Sequence, residues 1–140
     1  MRLTDIAHDT LSALLQPGDR ALDATAGNGY DCTIMAQLVG VEGHVIAIDI
    51  QPAAIAASRA RLEAADCLVQ SELLVADHAQ ALAALCSQYA QTASAITFNL
   101  GYLPWGDKSI KTKPESTLGA LHAASQLLKP GGLLLVTAYR

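Results

Sequence analysis

Apolar residues recur along the chain with two different periods, and the switches between them outline a succession of helices and strands. Leu3, Ile6, Ala7, Thr10, Leu11, Leu14 and Leu15 return at helical spacing and predict an amphipathic first helix. Pro17-Gly18-Asp19 ends it. A short strand follows, Arg20-Ala21-Leu22-Asp23, and breaks into a turn of small residues. A second helix, about Tyr30 to Val39, places Ile34, Met35, Leu38 and Val39 inward. The run His44 to Ile50 is apolar and β-branched, bounded by Gly43 and Pro52, and its near-continuous apolarity predicts a strand covered on both faces. Pro52 suits the first turn of the next helix, where its missing N–H would be unpaired anyway, and that alanine-rich helix runs to about Ala65. Leu73 to Asp77 predicts a third strand, followed by a helix through Leu82, Leu85 and Tyr89. Ala95 to Leu100 predicts a fourth. A long polar loop, Gly101 to Pro114, precedes a helix carrying Leu118, Leu121 and Leu128, and Lys129-Pro130-Gly131-Gly132 turns the chain into a fifth strand, Leu133 to Tyr139.

Strands alternating with helices at this spacing predict an α/β fold with a doubly wound parallel sheet in a single domain. Right-handed crossovers put every strand's C-terminal end on one edge, where such folds bind ligands. Asp23, Asp49, Asp77 and Asn99 all fall at strand ends and so belong on that edge.

Composition narrows the field. The 140 residues carry a net charge of −4, which excludes a protein that binds polyanions over its whole surface but leaves room for a local basic patch. Lys108, Lys111 and Lys113 supply such a patch in the polar loop, which reads equally as an ordinary solvated loop. Cys32, Cys67 and Cys86 form no CxxC pair, so buried thiols are expected rather than a zinc or disulfide framework, and no metal site is predicted. The start of the chain has no signal-peptide pattern and no apolar run is long enough to span a bilayer, so a cytoplasmic location and no membrane partner are expected. His8, His44 and His122 read as structural or exposed.

Chemistry concentrates in two motifs. Asp23-Ala24-Thr25-Ala26-Gly27-Asn28-Gly29 follows the first strand and opens a helix, where glycines permit positive φ and close approach of backbone N–H groups to a ligand. Asp49 lies twenty residues beyond Gly29, near the spacing at which a carboxylate meets ribose hydroxyls. A dinucleotide fingerprint needs a third glycine where Cys32 stands, and a phosphate-binding Walker loop needs a Gly-Lys-Ser/Thr that is missing. A carboxylate at Asp23 would repel a pyrophosphate but receives the ammonium group of a methionine, so the set reads as a site for S-adenosylmethionine (SAM). Asp77 is placed to accept from the adenine amine, with Ile50 over the ring and His78 beside it. Taken singly, Asp49 and Asp77 read equally well as helix N-caps; the full set does not. The second motif, Asn99-Leu100-Gly101-Tyr102-Leu103-Pro104, offers an amide oxygen and main-chain carbonyls that accept from an amine, with Tyr102 or Trp105 available to stack on a base.

These motifs, with Asp31, Ile50-Gln51 and Gly106-Asp107-Lys108, resemble the small "putative rRNA methylase" family, through nearly the whole chain. That resemblance implies a Rossmann-like class I methyltransferase fold, SAM as cofactor, and transfer of a methyl group to the primary amine of an aminomethyl-2-thiouridine at the tRNA wobble position. It carries cofactor contacts onto Asp23, Ala24, Thr25, Gly27, Asn28, Gly29, Asp31, Asp49, Ile50, Gln51, Asp77, His78 and Asn99, and substrate contacts onto Asn99, Leu100 and Tyr102. Asp31 or Asp107 is a candidate proton acceptor. Tyr30, Cys32 and Trp105 depart from the family's usual His, Thr and Gly. Members continue past the fifth strand with a Gly-His-Pro segment and two more strands, so a sheet lacking its last two strands is expected here, its bare edge a candidate homodimer surface. Three other readings are weighed on the residues alone: a different RNA base or small amine as acceptor, an NAD-dependent reductase, which Cys32 and Asp23 disfavour, and a non-catalytic remnant that binds SAM or a partner.

Overall fold

The structure, a computed structural model, describes residues 2–100 and 114–138. Five strands, β1 (Arg20–Asp23), β2 (His44–Asp49), β3 (Ser71–Val75), β4 (Ala93–Leu100) and β5 (Leu128–Ala138), form one sheet in the order β3-β2-β1-β4-β5. Every pairing is parallel, as the apolar runs predict. The helices are α1 (Leu3–Leu14), α2 (Tyr30–Val39), α3 (Pro52–Ala64), α4 (His78–Tyr89) and α5 (Pro114–Leu127).

Strand alternation divides the core in two. Ala21, Val45, Ala47 and Ala95 pack with Leu11, Met35, Val39, Ile55 and Leu62 from α1, α2 and α3. Leu22, Ile46, Ile48, Ile96 and Phe98 point the other way and pack with Leu82, Ala120, Ala124 and Leu127 from α4 and α5. The chain winds outward from β1 to β3, then returns across to β4 on the other side of β1. A crevice therefore opens between the C-terminal ends of β1 and β4.

The opposite edge is closed by side chains. Arg20 Nε donates to His44 Nδ1 at 3.0 Å while its guanidinium lies 4.3 Å from the Tyr89 ring centroid, and His44 Nε2 pairs with Glu72 at 3.4 Å.

Three elements depart from the expected pattern. Strand β3 begins and ends two residues earlier than predicted, because pairing with β2 runs from Ser71 opposite Val45 to Val75 opposite Asp49. It is an edge strand, and half-exposed Val75 shows why its apolar residues do not mark the strand's true span. Leu128, expected in the last helix, opens β5 opposite Ala93; the pairing then resumes at Ala95 with Leu133, and Lys129 to Gly132 bulge out between. Helix α1 buries a narrower stripe than its periodicity suggests: Leu11 and Leu15 are buried, whereas Leu3 and Ile6 are about half exposed.

That stripe sets the mutational sensitivity of α1. Leu11→Ala is expected to lower unfolding free energy in urea by roughly 2–5 kcal/mol, the cost of a cavity in a packed core. Ile6→Ala should change it by no more than about 0.5 kcal/mol, as expected of a surface site; equal losses in the two variants would show that α1 is held differently.

Candidate active site

Strand β1 stops at Asp23, paired with Thr97, while β4 runs on to Leu100. The loop after β1 is therefore suspended between its neighbours. Ala24 N donates to Thr97 O at 2.9 Å, Ala26 N to Ile48 O at 2.8 Å, and Asn99 N to Thr25 Oγ1 at 2.7 Å. Asp49 secures the loop from below: Oδ2 accepts from Gly27 N at 3.0 Å and Oδ1 from Gln51 N at 2.9 Å. Helix α3 adds two bonds that the motif analysis missed, Ser58 Oγ to Gly27 O at 3.2 Å and Arg61 Nε to Asn28 O at 3.0 Å. Arg61 also lies over the half-exposed Tyr30 ring, 3.8 Å from its centroid. The signal for both was weak, two polar residues three apart on an alanine-rich helix.

Gly29 caps α2 in the left-handed region, φ +87°, and a Cβ there would come within 2.7 Å of Ser58 Cα. Its role is thus close packing of α2 on α3, since its own N–H is engaged by Ala26 O at 2.9 Å.

The electrostatic centre is Asp23. It is completely buried; Oδ1 accepts from Thr25 N at 3.2 Å, but Oδ2 has no partner among the described residues. Thr97 Oγ1, buried in β4 at the residue paired with Asp23, is near enough to favour the ionised carboxyl weakly but makes no hydrogen bond of good geometry. Burial, and after it the charge of nearby Asp31, push the Asp23 carboxyl up to about 7. Among the described residues no Lys or Arg pairs with Asp23, Asp31 or Asp49, so three carboxylates face one crevice without a strong cation. An orphaned buried carboxylate of this kind is costly to the fold and suited to a cationic ligand.

Asp31, in the first turn of α2, joins two elements. Its Oδ2 accepts from Asn99 Nδ2 at 2.8 Å and its Oδ1 contacts His8 Nε2 at 2.6 Å. His8, expected to be structural or exposed, is thereby brought to the strand edge. The only trace of this in the sequence is its place one turn before Leu11, on the stripe that α1 buries.

The remaining candidates line the same edge further out. Asp77 caps α4 through Gln80 N at 3.1 Å and accepts from Ser116 Oγ at 2.9 Å. Burial alone would raise its carboxyl; these two donors, with the charge of His78 and the Ala79 N–H, outweigh it and hold the group below its ordinary value. His78 is buried edge-on against Phe98, ring centroids 5.6 Å apart, with Nε2 unpartnered, and burial pushes it below the ordinary imidazole value. Ile50 is half exposed beside Asp49. Cys32 is buried, its Sγ donating to Gly29 O at 3.5 Å, and burial together with the Asp23 charge pushes the thiol up to about 12. Tyr102, Pro104, Trp105, Asp107 and the three loop lysines lie outside the described residues. Among the described residues, no group of three His, Cys, Asp or Glu is placed to hold a metal ion, and no helix is long and apolar enough to cross a membrane.

Comparison with known proteins gives this edge a context. Residues 45–140 match the family described as "Putative rRNA methylase". The chain is 38% identical over 146 residues to the chloroplastic tRNA (mnm(5)s(2)U34)-methyltransferase of Arabidopsis thaliana, covering 99% of this chain and 53% of that protein. It thus spans about half the length of that relative. Among solved structures, a "putative rRNA-methylase" of Clostridium thermocellum superposes with a TM-score of 0.84 at 36% identity, over 96% of this chain and 70% of the other. A "putative methyltransferase" of Streptococcus mutans, solved in complex with SAH, gives 0.80 at 31% identity, over 97% and 72%. Sheet order and superposition agree on a Rossmann-like fold.

Asp23 imposes a pH dependence that can be measured without ligand. Because its folded pKa of about 7 lies above the ordinary 3.8, the folded chain keeps a proton over a range where the unfolded chain has released it. The associated stability is fully present below about pH 4 and is lost as pH climbs through 7. Urea denaturation of the wild type and Asp23→Asn from pH 4 to 8 should show the wild type losing up to about 1.4 kcal/mol per pH unit relative to the variant. Parallel profiles would mean that Asp23 is ionised throughout.

Proposed function

The chain belongs to the "Putative rRNA methylase" family, and from that premise we propose that it transfers a methyl group from SAM to the primary amine of a modified wobble uridine in tRNA. The observation that carries this reading is the orphaned Asp23 carboxylate at the crevice between β1 and β4. SAM brings an ammonium and a sulfonium, and a crevice holding Asp23, Asp31 and Asp49 suits that charge far better than the pyrophosphate of a dinucleotide. The relative solved with SAH supports the same cofactor.

The residues fit the group in detail. Asp23 would receive the ammonium. Asp49 keeps lone pairs for ribose hydroxyls even while it holds Gly27 and Gln51. Half-exposed Ile50 offers an apolar face to the adenine, with Asp77 and His78 at its rim. When bound, SAM supplies an electrophilic methyl group. The protein's part is position, charge and proton handling.

Asn99 takes the acceptor side. Its backbone is pinned to Thr25 and its amide N–H to Asp31, which leaves the amide oxygen to receive an amine; the Leu100 carbonyl is assigned beside it as the motif implies, although Leu100 pairs with Ala138 in β5. Such acceptors orient the nitrogen lone pair toward the methyl group, and Asp31, bonded to the same amide, is the carboxylate among the described residues assigned to take up the amine's proton. The Arabidopsis relative supports tRNA as the substrate. Tyr102 is assigned to stacking on the target base, as the motif implies.

Two measurements test the reading. In calorimetry SAM should bind and NAD should not, with affinity for SAM rising as pH passes through about 7 and up to one proton released from Asp23 near pH 6. Asp23→Asn should weaken binding by at least roughly tenfold and abolish the proton release; NAD binding in preference to SAM would overturn the cofactor. With labelled SAM, tRNA bearing a 5-aminomethyl-2-thiouridine should take up methyl, and tRNA lacking the aminomethyl group should not. Asn99→Ala should bind SAM normally yet turn over roughly 100-fold more slowly. Equal labelling of both tRNAs, or full turnover by Asn99→Ala, would remove the amine acceptor or the role of Asn99 respectively.

A further inference from the structure

Helix α1 precedes the β–α–β wind and contributes nothing to the sheet, yet one of its side chains reaches the strand edge. Leu11 and Leu15 seat the helix against α2 and the sheet, and His8 lies one turn earlier on the same stripe. The imidazole and the Asp31 carboxyl are both largely enclosed, with side chains 20% and 11% exposed. A carboxylate can only accept, so the 2.6 Å contact requires the hydrogen to sit on His8 Nε2. The other Asp31 oxygen accepts from Asn99 Nδ2.

This chain of three groups decides something that Asn99 alone cannot. A half-turn of an asparagine amide exchanges its donor and acceptor ends, and only its neighbours make one orientation preferable. With the amino end drawn to Asp31, the oxygen is forced onto the opposite branch. The direction of Asp31 is in turn fixed by His8, the one donor on its far oxygen among the described residues. Other polar side chains of α1 make only local contacts: Asp5 pairs with Arg2, and the Thr10 hydroxyl donates to Ile6 O. The charged group facing His8 is Asp31, whose charge is felt in turn by Asp23, and among the described residues His8 is the one His, Lys or Arg side chain placed against Asp31.

We propose that His8 is a positioning residue for methyl transfer: through Asp31 it holds the Asn99 amide with its oxygen turned to the acceptor amine. This role rests on the acceptor site proposed above.

The test compares His8→Gln, whose amide nitrogen reaches about as far as the imidazole Nε2 and keeps a donor, with His8→Leu, which keeps apolar bulk and loses the donor. Both should retain the wild-type SAM affinity. His8→Leu should lose roughly 10- to 100-fold in kcat on aminomethyl-thiouridine tRNA with KM for the tRNA little changed, and His8→Gln should recover most of that loss. Independently of turnover, the side-chain NH2 signal of Asn99 in 15N-labelled protein, assigned by its absence in Asn99→Ala, should shift in His8→Leu and return in His8→Gln. Unchanged kcat in His8→Leu, a loss that His8→Gln does not restore, or an Asn99 signal indifferent to both substitutions would overturn the proposal. If the wild type leaves that tRNA unlabelled, the acceptor reading is what has failed, and His8 is then judged on the Asn99 signal alone.

Discussion

Strand β1 is four residues long and is paired on both sides, yet β4 beside it continues three residues past the Asp23–Thr97 pair. The rest of the site depends on that mismatch. Where β1 ends, the chain must leave the sheet plane, and the protruding end of β4 supplies a wall for it to turn against. Thr25 bonds that wall at Asn99, the loop descends onto Asp49, and α2 follows its cap Gly29 with Asp31 facing the same wall. Residues from three separate stretches of the chain converge because one strand stops short of its neighbour.

The convergence costs stability. Three carboxylates share a crevice, and among the described residues the N-terminal end of α2, one imidazole and a few N–H groups offset their repulsion. Elsewhere the polar groups are better matched. At the far edge Arg20, His44, Glu72 and Tyr89 satisfy one another across three strands and a helix. One end of the sheet thus pairs its charged groups internally, while the other holds an excess of negative charge that a cationic ligand would relieve. Departures from local consistency of this kind are expected where function resides.

Much of this was legible in the sequence because parallel strands are buried on both faces, so their apolar runs end abruptly where a polar residue reaches the edge. Asp23, Asp49 and Asn99 stand at such endings, and the structure brings all three to one edge. Asp77 was legible as well, although the geometry shows it capping α4. Strand β3 was misplaced by two residues because an edge strand lacks the two-sided burial that makes the others readable. The contacts of His8, Ser58 and Arg61 are not legible for a different reason. Their partners lie 23, 31 and 33 residues away, and nothing in the local pattern of α1 or α3 records which loop or helix each will face. The exposure of Leu3 and Ile6 has the same origin, since periodicity defines a helix's apolar side but not how far along that side the core extends.

Cys32 shows a further effect of the same crowding. A protein that carries an activated methyl group exposes its own nucleophiles to it, and a thiolate is the most reactive of these. With its thiol raised to about 12 by burial and by Asp23, Cys32 is ionised in only about one molecule in 100,000 at neutral pH. Burial does most of this and the Asp23 carboxylate adds to it, so a group that would draw a cation into the crevice also helps to silence the sulfur beside it. Under the reading proposed here, protection from self-alkylation and attraction of the methyl donor draw in part on the same carboxylate.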